Sequence, residues 1–88
     1  MTQNISLLIE HLIELTEPLP VDQEWLLQVK ARHQNKLFSN GIVASLIYGF
    51  ARGIFEANQI NDQQLKDFEK LLHAQGFNYL VKKSKPLS

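Results

Sequence analysis

The sequence predicts an all-α protein, a small four-helix, mainly antiparallel bundle with a short C-terminal tail. Three observations carry that expectation. Apolar residues recur at helical spacing in separate stretches, and strong stop and start signals divide those stretches. One stretch, GIVASLIYGFARGIFEAN from Gly41 to Asn58, is apolar nearly all round, as a buried central helix is. The 88 residues are 44% hydrophobic and 20% charged, a length and composition suited to one ordered domain with a modest core. Residues 1–82 read as a single helical domain and residues 83–88 as a mobile basic tail.

The first helix covers about Asn4 to Thr16, where Ile5, Leu8, Ile9, Leu12 and Ile13 follow the i, i+3, i+4, i+7, i+8 template. Pro18 and Pro20 end it, because proline lacks a backbone donor and disfavours helical geometry in the residue before it. The second helix begins at Asp22 as N-cap, with Glu24 in the first turn and Val21 and Leu26 as a hydrophobic staple. Its core face is expected to be Leu26, Val29, His33 and Leu37. Trp25 lies to one side, in line with Val29, Arg32 and Lys36.

Ser39 or Asn40 caps the third helix, which stops near Asn58. Along it Gly41, Ser45, Gly49, Gly53 and Ala57 place a small residue at every fourth position. Such a ridge lets a neighbouring helix approach closely, and the neighbour is expected to be internal or a second copy of the chain. Packing must offset the two interior glycines, which cost about 1 kcal/mol each relative to alanine. The fourth helix has the clearest start: Asn61 caps, Gln64 completes a capping box, and Ile60 with Leu65 forms a staple. Leu65, Phe68, Leu71 and Leu72 supply its apolar face. Gly76 suits the left-handed residue after its end, with Phe77 folding back toward Leu72. Beyond it, FNYLVKK is compatible with an extended segment or a short fifth helix.

Formal net charge is zero, so the global pull on nucleic acid or anionic membrane is weak. Charge is segregated locally: Glu10, Glu14, Glu17, Asp22 and Glu24 precede Lys30, Arg32, Lys36 and Arg52, and Lys82, Lys83 and Lys85 end the chain. With no cysteine, disulfides, thiolate metal sites and cysteine nucleophiles are excluded. The N-terminus lacks the basic region of a signal peptide, and Arg52 and Glu56 interrupt the central stretch as a bilayer span. A cytoplasmic protein is expected.

No enzyme is read from this chain. None of Ser6, Ser39, Ser45, Ser84 and Ser88 sits in a nucleophile turn, and Gly49 and Gly53 lie inside a helix rather than in a phosphate loop. His11 with Glu14, and Glu69 with His73, lack the spacing of a di-metal bundle site. Glu69 and His73 read instead as a surface pair, and His33 as a satisfied boundary histidine. No cofactor or metal is expected.

Binding remains. The second and third helices could imitate a helix-turn-helix, with Lys30, Arg32 and Lys36 supplying charge, so a nucleic-acid-binding regulator is the first alternative. Residues 42–55 disfavour it, being mostly aliphatic and aromatic where base edges demand polar side chains. The leading expectation is a non-catalytic protein-binding module, an inhibitor or regulator of a larger protein. Its partner-binding residues are Trp25, Arg32 and Lys36, with Phe77 and Tyr79 as a second patch. Gly41, Ser45, Gly49 and Gly53 serve helix packing, within the chain or in a homodimer. In size and helix layout, and without a shared motif, the chain resembles cytoplasmic immunity proteins that protect bacteria from their own bacteriocins. That resemblance implies the second alternative, self-immunity.

Overall fold

Four helices follow one another in the computed structural model: α1 (Ile5–Thr16), α2 (Glu24–Gln34), α3 (Asn40–Glu56) and α4 (Asp62–Ala74). The structure describes residues 4–77 and 80–81, and no strand occurs among them. They form a four-helix bundle in which consecutive helices, joined by short turns, run antiparallel. The mobile tail expected at 83–88 lies outside the described residues. Leu80 and Val81 have helical backbone and pack against the core, so no extended segment forms at those two positions.

Local chemistry sets most helix ends as the sequence predicts, although Asn4 is the N-cap of α1 rather than its first residue. The side chains of Asn4, Ser39 and Asn61 accept from the backbone N–H groups of Leu7, Ile42 and Gln64, and Gln64 returns the bond to the Asn61 N–H at 2.9 Å. At the end of α4 Gly76 has φ 90°, with the Phe77 N–H bonded to the Leu72 carbonyl and the Gly76 N–H to that of His73.

The start of α2 differs from expectation. Its N-cap is Gln23, whose side-chain amide is used elsewhere: Nε2 donates to the Ile13 carbonyl at 2.6 Å and to the Thr16 hydroxyl at 2.8 Å. Thr16 is fully buried, and its hydroxyl donates a hydrogen bond to the Leu12 carbonyl at 2.8 Å. Gln23 therefore satisfies the C-terminal end of α1 while it begins α2. Asp22 accepts from the Glu24 N–H instead of capping the helix.

The end of α2 is a second correction. The helix stops at Gln34, and Lys36 takes a left-handed conformation, φ 60°, with the Leu37 N–H bonded to the Arg32 carbonyl and the Lys36 N–H to that of His33. This turn swings Leu37 away from the core face assigned to it, leaving it 69% exposed, while Phe38 packs inward. The same turn closes α3, with Asn58 at φ 62°. His33 is held as a boundary residue, Nε2 lying 2.8 Å from Asn40 Oδ1 across the turn.

The core joins Ile5, Leu8, Ile9 and Leu12 of α1, Leu26 and Val29 of α2, Val43, Ala44, Ile47, Tyr48, Ala51 and Ile54 of α3, and Leu65, Phe68 and Leu72 of α4. Ile60 and Phe77 close its ends. Both α1 and α3 pack against all three other helices, while α2 and α4 flank them on opposite sides, giving extents of 36 × 29 × 17 Å. One side of α3 is therefore left uncovered by described residues. Ile42, Ser45, Leu46, Gly49 and Gly53 are exposed along it, and a Cβ added at Gly49 or Gly53 would meet nothing within 4 Å.

The expectation of a central helix buried all round, approached internally along its small-residue ridge, is thus corrected. The small residues buried in the core are instead Ala44 and Ala51, both 0% exposed. Since alanine fits helical geometry better than glycine and the space is open, Gly49→Ala and Gly53→Ala should each raise stability in dilute solution by about 0.5–1 kcal/mol. Urea unfolding followed by circular dichroism checks this, and a loss of stability would mean that the face is occupied.

Candidate functional site

Trp25 stands in the first turn of α2, and its indole stacks on the Phe50 ring of α3, with centroids 5.3 Å apart and planes 15° from parallel. The stack leaves Trp25 37% exposed, so the ring both covers the edge of the core and reaches solvent. Arg32 follows seven residues later on the same face, about 10 Å along the helix at 1.5 Å per residue. Its guanidinium lies over the Phe38 ring, 5.9 Å from the centroid. Lys36 is exposed in the left-handed turn that follows, and Leu37 projects beside it in the chain.

Lys30, also on α2, is used differently, paired with Glu10 of α1 across the helix contact. Both side chains are substantially exposed, and such a pair contributes about 0–1 kcal/mol. The other ion pair seen among the described residues joins Lys66 and Asp62 on α4. Arg32 and Lys36 enter neither, and their charge is not offset by an acidic partner in either pair.

Sequence spacing therefore puts Trp25 and Arg32 on one helix face, and the structure keeps them there. Lys36 belongs to the turn rather than to that face, and no local signal announced the exposed Leu37 next to it. Of the second patch only Phe77 is among the described residues. Phe77 is 1% exposed, drawn into the core by the turn at Gly76, so its side chain is unavailable to a partner; Tyr79 lies outside the described residues.

Outside this surface, two side-chain contacts tie helices together. The Tyr48 hydroxyl donates to Glu69 Oε2 at 2.5 Å and ties α3 to α4. Glu69 therefore does not form the surface pair with His73 that helical spacing suggests. Burial, then the hydrogen bond and the charge of Glu69, push the Tyr48 pKa up from 10.0 to about 12, against a smaller opposing effect of Arg52. At neutral pH the phenol holds its proton and offers neither a base nor a nucleophile. His11 stacks on Phe68, with ring centroids 5.9 Å apart. Among the described residues no three His, Cys, Asp or Glu side chains are grouped to hold a metal ion, and no helix is long and apolar enough to cross a membrane. Against known protein families, curated proteins and solved structures the chain gives no match.

The raised Tyr48 pKa has a definite sign. The fold favours the neutral phenol, so this contribution is fully present below about pH 10, the unfolded value, and is lost as pH rises toward 12. The wild-type chain should exceed Tyr48→Phe in stability at pH 7 by about 1.5–3 kcal/mol, the usual worth of a hydrogen bond to a charged group. Unfolding measured at pH 7, 10 and 12 should show that margin narrowing only across the upper interval; a constant margin would place the phenol's ionisation elsewhere.

Proposed function

We propose that the chain is a non-catalytic protein-binding module, an inhibitor or regulator that presents α2 and the α2–α3 turn to a larger protein. The observation that carries this reading is the turn itself. A left-handed lysine costs about 1–2 kcal/mol relative to ordinary backbone geometry, and this one is followed by a leucine left 69% exposed. The turn closes α2 through the Lys36 and Leu37 backbone bonds, whereas the leucine side chain that it turns outward adds nothing to the core. It suits a surface shaped for contact. With Trp25 as an aromatic anchor and Arg32 and Lys36 as cations, the complementary partner surface is acidic and carries an apolar socket.

The nucleic-acid alternative gains little from the same coordinates. The helix that would have to read bases exposes Ile42, Leu46, Gly49 and Gly53, with Ser45 and the acidic Glu56 as its exposed polar side chains. Base edges in the major groove are read by hydrogen bonding, which such a face supplies poorly.

Affinity capture with the wild-type chain and with Trp25→Ala combined with Arg32→Ala tests the surface. One defined protein should be retained by the first and lost by the second, with circular dichroism showing that both are folded. Retention of DNA that weakens steeply between two salt concentrations would favour the nucleic-acid alternative instead.

Lys36→Gly separates function from folding. Glycine relieves the left-handed residue, so stability should rise by about 1 kcal/mol while affinity for the captured protein falls. Calorimetric titration and thermal unfolding read the two effects independently, and unchanged affinity would remove Lys36 from the contact.

A further inference from the structure

The uncovered side of α3 is a different surface, and its residues are arranged with a direction. Ile42, Leu46, Gly49, Gly53 and Glu56 are spaced four, three, four and three residues apart, the spacing of a coiled-coil seam, and all five are exposed. The bulky members stand on the N-terminal half and the glycines on the C-terminal half. Ile42 is 51% exposed and Leu46 37%, while the space over Gly49 and Gly53 is open. The ends also differ in charge: α3 has no acid in its first turn and no base in its last, Lys36 precedes its start, and Glu56 is its final residue.

From this we infer that the occupant of the seam is a second copy of the chain, paired with the first through antiparallel α3 helices about a two-fold axis. A two-fold axis between Ile47 and Tyr48 sets each residue opposite the one whose number completes the pair. Ile42 then faces Gly53 of the other copy, Leu46 faces Gly49, and Glu56 faces Ser39 at the start of the other helix. Each bulky side chain meets a position without one. Each Glu56 meets a helix N-terminus, where the macrodipole and the nearby Lys36 favour negative charge.

Parallel pairing would instead stack Ile42 on Ile42, leave a gap between facing glycines and set Glu56 against Glu56. A self-complementary patch with bulk on one half and space on the other is what an isologous contact requires. At 17 residues α3 is about 26 Å long, and one helix face of that length falls short of the roughly 800 Å² per partner of a standard interface. The dimer therefore belongs to the weak class and dissociates on dilution.

Apart from Lys36 this pairing shares no residue with the α2 surface, and its test is separate. Sedimentation of the full chain from about 10 μM to about 1 mM, a range suited to weak association, should show the mass rising from 10.1 kDa toward twice that value. Gly53→Leu fills the space needed by Ile42 of the other copy. It should move the midpoint at least about tenfold upward in concentration without lowering the melting temperature in dilute solution. The exchange Ile42→Gly with Gly53→Ile restores bulk opposite space and should recover dimerisation. A mass that stays at 10.1 kDa throughout overturns the pairing while leaving the α2 reading to its own variants. A Gly53→Leu chain that dimerises like wild type overturns it as well.

Discussion

The contact between α1 and α3 is the constraint on which the remaining structure depends. These two helices alone among the four each pack strongly against every other, so the buried faces of α2 and α4 are completed only where α1 and α3 already meet. Ala44 and Ala51 on α3 and Leu8 and Leu12 on α1 are all fully buried. Truncating a buried leucine of this kind typically costs about 2–5 kcal/mol, against about 0.5–2 for a helix cap and about 0–1 for an exposed ion pair. Core packing outweighs the surface charges here, including the Glu10–Lys30 pair.

Around that contact the turns are secured by side chains that serve two elements at once. Gln23 satisfies the end of α1 as it begins α2, His33 reaches Asn40 across the next turn, and the Gln75 side chain accepts from the Asn4 N–H at 2.8 Å. The last bond places the end of α4 beside the start of α1. Tyr48 and Glu69 do the same for the middles of α3 and α4. The bonds of Gln23, His33 and Tyr48 are part-buried and join groups withdrawn from water, where an unpaired group costs more than a made hydrogen bond contributes.

The arrangement leaves apolar surface in two adjoining places, the α2–α3 turn with Trp25 beside it and the seam along α3. Both follow from the same geometry. Because α1 and α3 occupy the short diagonal of the bundle, α3 has one side covered by α1 and its flanks by α2 and α4, with nothing among the described residues on the fourth side. A fifth helix could cover it in a larger fold. Here the exposed isoleucine and leucine stand beside glycines, a combination that contact with another chain can use and that an isolated surface does not need.

The sequence by itself determined the fold class, the number of helices and most of their ends. Ser39, Asn61 and Gly76 act through their immediate neighbours, and local hydrogen bonding and backbone sterics are written in adjacent residues. It also placed Trp25 and Arg32 on one face, since helical spacing needs no tertiary information. Tertiary structure alone decided which side of α3 would be buried. A helix with apolar residues nearly all round carries little orientation in its pattern, and the choice fell to packing, which took the alanines inward and left the glycines in water. The left-handed Lys36, the burial of Phe77 and the reach of Gln23 and Tyr48 to distant partners belong to the same class. Their energies depend on groups that only the folded chain brings together.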